Sequence, residues 1–268
     1  MRVSERRGVA TLPELSSTIE QPLELRLVRG DSLTLSLDDY VRVHLTGPAL
    51  VRLLPAGRAA LLLREGLVTV DVSPRGVRST VSAFWLATPA VRVDVADSAR
   101  LALRAYPDES TELSVVSGYL TLARPGEPVS LRADALVCAT LDEAEVGPLG
   151  LATLELAEKR LEKTRSCARA PTSGRTLESA LAAQLERVSA SVLREQAQLA
   201  EHDRLLETQD AGALSLRRAL ALTGAELLAL RQGAAALRTQ LEAGVLGHAP
   251  TEAVARLLSR AGELGVAD

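Results

Sequence analysis

The chain has 268 residues, 47% of them hydrophobic, and a formal net charge of −3 at pH 7, enough apolar material for one sizeable core plus a second element. Residues 1–150 carry 16 basic and 19 acidic side chains and residues 151–268 carry 15 of each, while aromatics make up only 2%; this balance excludes the basic stripe and stacking rings of a nucleic-acid binder. No run approaches ~18 uninterrupted apolar residues, so no helical membrane span is expected.

Residues 1–21 read as an N-terminal arm. Its start, MRVSERRGVATLPELSS, is basic but has no apolar stretch before Pro13 and Glu14, so it does not read as a signal peptide. Taken as complete, the chain is expected to be cytoplasmic. Residues 22–141 read as a β-module, because apolar residues alternate with period two in LELRLV (23–28), SLTLSL (32–37), YVRVHL (40–45) and LVTVDV (67–72). Turn signals separate these strands at Gly30-Asp31, Asp38-Asp39, Gly47-Pro48, Pro74-Arg75-Gly76, Pro107-Asp108 and Pro125-Gly126. No stretch between them has room for a crossover helix, so the strands are expected to be antiparallel, in a sandwich or a solenoid. EGLVTVDV (65–72) is echoed by SGYLTLAR (117–124), each a Gly followed by alternating apolar positions.

Residues 142–173 read as a connecting helix, LATLELAEKRLEK, and a linker broken at Pro171 to Gly174. Residues 174–268 read as a helical coiled-coil region, with no proline before Pro250. Its seam is the seven-residue repeat of Leu185, Val192, Leu199, Leu206, Ala213, Leu220, Leu227, Ala234 and Leu241. The companion register turns polar at Glu195, His202 and Gln209, beside Asp210-Ala211-Gly212. That suits the turn of an antiparallel hairpin, whereas the unbroken repeat suits one long helix, and both readings stay open. Thr251 is placed to cap a last helix whose inner face holds Val254, Leu257, Leu258 and Ala261.

No chemical signature emerges. Neither lysine, Lys159 or Lys163, lies in a P-loop context, no GxSxG occurs, and His44, His202 and His248 have no nucleophile neighbourhood. A lone histidine in the β-region does not make a metal site. Asp38-Asp39 and Asp108-Glu109 fall in turns, where carboxylates are solvated and cap the backbone. Trp85 reads as a core anchor. The expectation is a non-enzyme with no cofactor and no metal. Cys138 and Cys167 could form one bridge across a loop of about 29 residues, stabilising by roughly 3 kcal/mol on the chain-entropy estimate.

Over residues 27–133 the β-region resembles the FecR domain, the periplasmic module of bacterial regulators that sit between outer-membrane receptors and sigma factors. The residues carrying the likeness are Gly66, Val68, Val70, Val72 and Gly76; then Thr88-Pro89; then Leu113, Val115, Gly118, Leu120 and Leu122; then Val129, Leu131 and Ala133. Asp97-Ser98 and Leu54-Pro55-Ala56-Gly57 depart from the family pattern. The resemblance implies a small stack of twisted antiparallel strands, binding without catalysis, and a cell-envelope or periplasmic setting. The combined expectation is an α+β chain in two segregated parts. The first is an all-β antiparallel, FecR-like sandwich or solenoid and the second a long helical hairpin or coiled coil. Its partner would be another protein or a second copy of itself. The role would be that of a FecR-like regulator or adaptor; the alternative is a scaffold of stacked β-modules with projecting helices.

Overall fold

The computed structural model describes residues 2–7, 21–37, 40–54, 59–73, 84–95, 98–123, 128–140, 143–167, 177–207 and 212–266. They form two compact units. The first comprises Met1–Ala123, Pro128–Gly174 and Thr239–Ala249, and the second Arg124–Glu127, Arg175–Arg238 and Pro250–Asp268.

Among the described residues the first unit holds twelve strands in one hydrogen-bonded sheet: β1 (Arg2–Arg7), β2 (Leu23–Leu27), β3 (Ser32–Leu37), β4 (Val41–Leu54), β5 (Ala59–Val72), β6 (Phe84–Ala87), β7 (Arg92–Val95), β8 (Ala99–Ala105), β9 (Thr111–Ala123), β10 (Val129–Arg132), β11 (Ala135–Ala139) and β12 (Ala144–Pro148). Three long strands, β4, β5 and β9, each take different partners along their two halves. The first half of β4 pairs with β3 and the second with β2; the second half of β5 pairs with β8 and its start with β6. The start of β9 lies between β8 and β11, and its end between β7 and β10. The sheet therefore folds over on itself, and its inward residues form one core that includes Leu27, Leu35, Val43, Val51, Leu63, Val70, Phe84, Leu101, Val115 and Leu122.

The corners explain the sequence echo. Gly66 and Gly118 sit inside β5 and β9 with φ +123° and +89°, in the region that costs an L side chain roughly 1–2 kcal/mol. Each faces an end of β8, Gly66 opposite Ala105 and Gly118 opposite Ala99. Two similar segments are thus two equivalent bends around one strand. Gly47-Pro48, expected as a turn between strands, lies instead inside β4, where the register with β5 shifts between Thr46 and Leu50.

Both outer faces of the sheet are apolar in places, and both are covered by helix. On one, Leu67 and Ala102 pack against Ala157 and Leu161 of α1 (Leu154–Lys163). On the other, Leu50, Ala60, Leu62, Trp85 and Ala87 pack against Ala243 and Leu246, at the end of α3 (Gly212–Gly244) and in the turn after it. Arg64 reinforces this cover by donating to the Leu246 carbonyl at 2.7 Å.

The expected architecture is therefore corrected. The strands are not all antiparallel, since β5 and β6 run parallel. They form neither two separate sheets nor a solenoid, since β5, β6, β7, β9 and β8 pair in a closed ring. Helices are not segregated from strands, because α1 and residues 239–249 belong to the β-rich unit. The physical reason lies in AALLL (59–63) and AFWLA (83–87), which are apolar on both faces and need a second covering layer.

The second unit contains α2 (Leu177–Glu207), the larger part of α3, and α4 (Glu252–Glu263). Gln184 donates to the Leu230 carbonyl at 3.0 Å and Arg194 pairs with Glu226 at 3.0 Å, so α2 and α3 run antiparallel. Thr251 caps α4 through the Val254 amide, and Arg260 reaches Glu186 of α2 at 2.8 Å.

Candidate functional site

The richest concentration of polar chemistry in the first unit surrounds the turn between β8 and β9. Asp108 accepts from the Ser110 amide and hydroxyl at 3.3 and 2.7 Å, and Glu109 takes φ 63° at the tip. The end of α1 descends onto this turn. Arg104 of β8 donates to the Leu161 carbonyl and, at 3.1 Å, to that of Glu162, satisfying carbonyls that a helix end leaves open. Beyond the C-cap Thr164, Arg165 donates to Asp108 and to Ser110, both at 2.7 Å.

Beneath that segment lies Glu112, fully buried. Its carboxylate accepts from the Tyr106 hydroxyl at 2.8 Å and the Ser166 amide at 3.2 Å, with Arg160 3.7 Å away. The Tyr106 ring has the Arg165 guanidinium 4.3 Å and that of Arg104 5.4 Å from its centroid. Burial and then the Glu112 carboxylate push the Tyr106 phenol well above its usual range. For Asp108, burial pulls upward, but hydrogen bonds from Ser110 and Arg165 outweigh it and hold the carboxyl below its usual value. Cys138 stands opposite Glu112 in the β9–β11 register and is joined to Cys167 by a disulfide. The bridge thus pins residues 164–167 over Glu112.

The far side of the same turn lines a cleft of about 160 Å³. Tyr106, Pro107 and Glu109 form one wall, Gly247 and His248 another, and Arg26, Leu50, Arg64, Glu65 and Pro89 the rest. Cationic and anionic groups are mixed among its described lining residues, so its chemistry suits polar recognition.

Other residues singled out in the sequence are dispersed. Trp85 is buried, with Arg92 4.4 Å from its ring centroid. His44 bonds Thr34 on the neighbouring strand at 2.9 Å, His202 sits 3.7 Å from Asp203, and His248 lines the cleft. Asp38-Asp39 lies outside the described residues. Among the described residues no group of three or more His, Cys, Asp or Glu is placed to hold a metal ion, and no helix is long and apolar enough to cross a membrane. Of the seam positions, Leu185, Leu227 and Leu241 are buried and Val192 and Leu220 half-buried, but Leu199 and Leu206 are exposed. Four of the seven lie on α2 and three on α3, which run antiparallel, so they do not form one continuous seam. Sequence reading missed Glu112, Tyr106, Arg160 and Arg165 altogether. Glu112 reads as an outward, solvated strand residue, and what buries it arrives more than fifty residues later.

No family profile matches the sequence, and no curated protein matches it. Two solved structures are similar to the chain: crystal structures, at 2.50 and 1.65 Å, of a provisionally assigned anti-sigma factor from Parabacteroides distasonis ATCC 8503. Identity is 19% and 20%, and the TM-score is 0.40 for each. The alignments cover 47% of this chain and 60% and 59% of those chains, so this chain spans less than two thirds of their length.

Proposed function

We propose that this chain is a non-catalytic protein-interaction module: a FecR-like regulator or adaptor of the bacterial cell envelope that binds partners through its β-rich unit and assembles through its helical unit. The observation that carries the reading is what the resemblance-bearing residues do. Gly66 and Gly118 form corners, and Thr88 is fully buried with its hydroxyl on Thr111 at 2.7 Å and on the Val91 amide at 3.2 Å. These residues build a frame, which leaves surfaces as the means of action. A half-buried disulfide suits an oxidising envelope compartment.

The helical unit supplies the assembly surface. Leu193, Leu199 and Leu206 on α2 and Leu214, Leu222 and Leu228 on α3 are 47–74% exposed, apolar surface that a second copy would cover. Residues 195–207 hold Glu195, Glu201, Asp203 and Glu207 against Arg204, while residues 212–225 hold Arg217 and Arg218 and no acid. Two copies related by a two-fold axis would bring the acidic stretch of each against the basic stretch of the other. The second reading, a scaffold of stacked β-modules, draws on β12, which among the described residues pairs only with β11 and exposes Val146 at 52%. Light scattering on the full chain over a concentration series separates them: a regulator stops at the mass of a dimer, whereas a scaffold keeps growing. A monomer at every concentration would sink the assembly part of the proposal.

A further inference from the structure

We propose that the Cys138–Cys167 bridge is a redox-sensitive latch: oxidised, it clamps residues 164–167 over the turn from Tyr106 to Ser110, and reduction by a dithiol releases that strap and reshapes the turn. This goes beyond the interaction reading and stands whether or not that reading holds.

The strap is tied down at successive residues, and the ties converge on one place. Arg165 holds Asp108 and Ser110, the Ser166 amide holds Glu112, and Cys167 is bonded to Cys138 on the strand next to Glu112. Neither cysteine belongs to the main core, whose inward residues on β11 are Ala135, Val137 and Ala139. The bridge can therefore open with the core intact. Both cysteines are half-buried and Ser166 is exposed, so a small thiol can reach the sulfurs. In the exchange, a thiolate of the dithiol attacks one sulfur, the S–S bond breaks, and a mixed disulfide forms. The second thiol of the reductant then closes its own disulfide ring, two electrons having passed to the protein, and protons end on the Cys138 and Cys167 thiols.

Glu112 couples the strap to the turn. Its carboxylate is fully buried, with Tyr106, Ser166 and Arg160 as its polar neighbours. Once the strap lifts, the Ser166 amide is lost, and a buried carboxylate short of a hydrogen-bond partner moves toward water. Tyr106, bonded to Glu112 and stacked under Arg165, moves with it. Because Tyr106, Pro107 and Glu109 line the cleft, the redox state of the bridge sets the shape of one cleft wall.

Hydrogen exchange with mass spectrometry on the full chain, with and without dithiothreitol and with thiols counted, tests this. The expected result is at least a tenfold rise in exchange at 164–167 and 107–112 on reduction, with β4 and β5 unchanged. A Cys138→Ser, Cys167→Ser double variant should reproduce it without reductant, and Arg165→Ala should loosen the same segments with the bridge intact. Three results would overturn the proposal. Two free thiols in the untreated protein mean no latch, unchanged exchange after full reduction means a passive staple, and loss of protection throughout β4 and β5 means a bridge the core cannot do without.

Discussion

At Gly118 a Cβ would lie 2.0 Å from the Ser98 carbonyl oxygen, on a backbone of φ +89°. Clash and conformation add there, so Gly118→Ala should cost about 3 kcal/mol or more. Gly30 shares the positive φ, at +93°, but has nothing within 4 Å, so Gly30→Ala isolates the backbone cost of roughly 1–2 kcal/mol. Gly147, with open space and no positive φ, should accept Ala with a change of at most about 1 kcal/mol. Urea midpoints of the three variants must fall in that order. Glu112→Ala removes the acceptor of the buried Tyr106 hydroxyl and of the Ser166 amide and should cost roughly 3 kcal/mol. Asp108 gives the pH dependence. Its folded-state value is lowered, so near that value the unfolded chain binds more protons than the folded one. Its contribution is complete above the unfolded pKa and is lost as pH falls through the folded one. Ser110→Ala or Arg165→Ala should therefore flatten the loss of stability on the acid side of about pH 4, read from urea midpoints between roughly pH 5 and pH 2.

Elements with one buried face and one wet face are the ones their own residues announce. LELRL alternates in β2 with Glu24 and Arg26 exposed, and Thr251 caps α4 as its position suggests, whereas LVTVDV alternates only from Val68 on, and Leu67 and Thr69 on its outer face are buried, Leu67 under α1. Elements covered on both faces are hidden, because AALLL and AFWLA lack alternation and name no partner. Trp85 shares its apolar cluster with Ala243 and Leu246, more than 150 residues away, at the end of a helix and in the turn after it, and the repeat of that helix gives no sign of docking on a sheet. Leu246 is fully buried, so Leu246→Ala should destabilise by roughly 2–4 kcal/mol. It should also shift the emission of Trp85, the single tryptophan, to longer wavelength; unchanged emission and midpoint would remove this contact from the fold. The glycine echo was legible as a pattern, but its meaning as two bends around β8 needed the register of three strands at once.

Taken whole, the chain divides into a β-rich unit and a helical unit, yet residues 239–249 return to the first after more than sixty residues in the second. That return is why removing the C-terminal region is a poor probe of function: a chain ending near Pro171 would lack Ala243 and Leu246 and uncover Trp85. Substitution in the full chain avoids this. Leu199 and Leu206 are 47% and 54% exposed, one heptad apart on α2, so aspartate at both positions leaves the buried residues of α2 untouched while charging the surface offered to a second copy. Light scattering coupled to size exclusion on this pair of proteins is the most direct test. The full chain is predicted to run at twice its 28.4 kDa mass and the Leu199→Asp, Leu206→Asp variant at the monomer mass, with the same urea midpoint. Equal masses for the two proteins would contradict assembly through the helical unit.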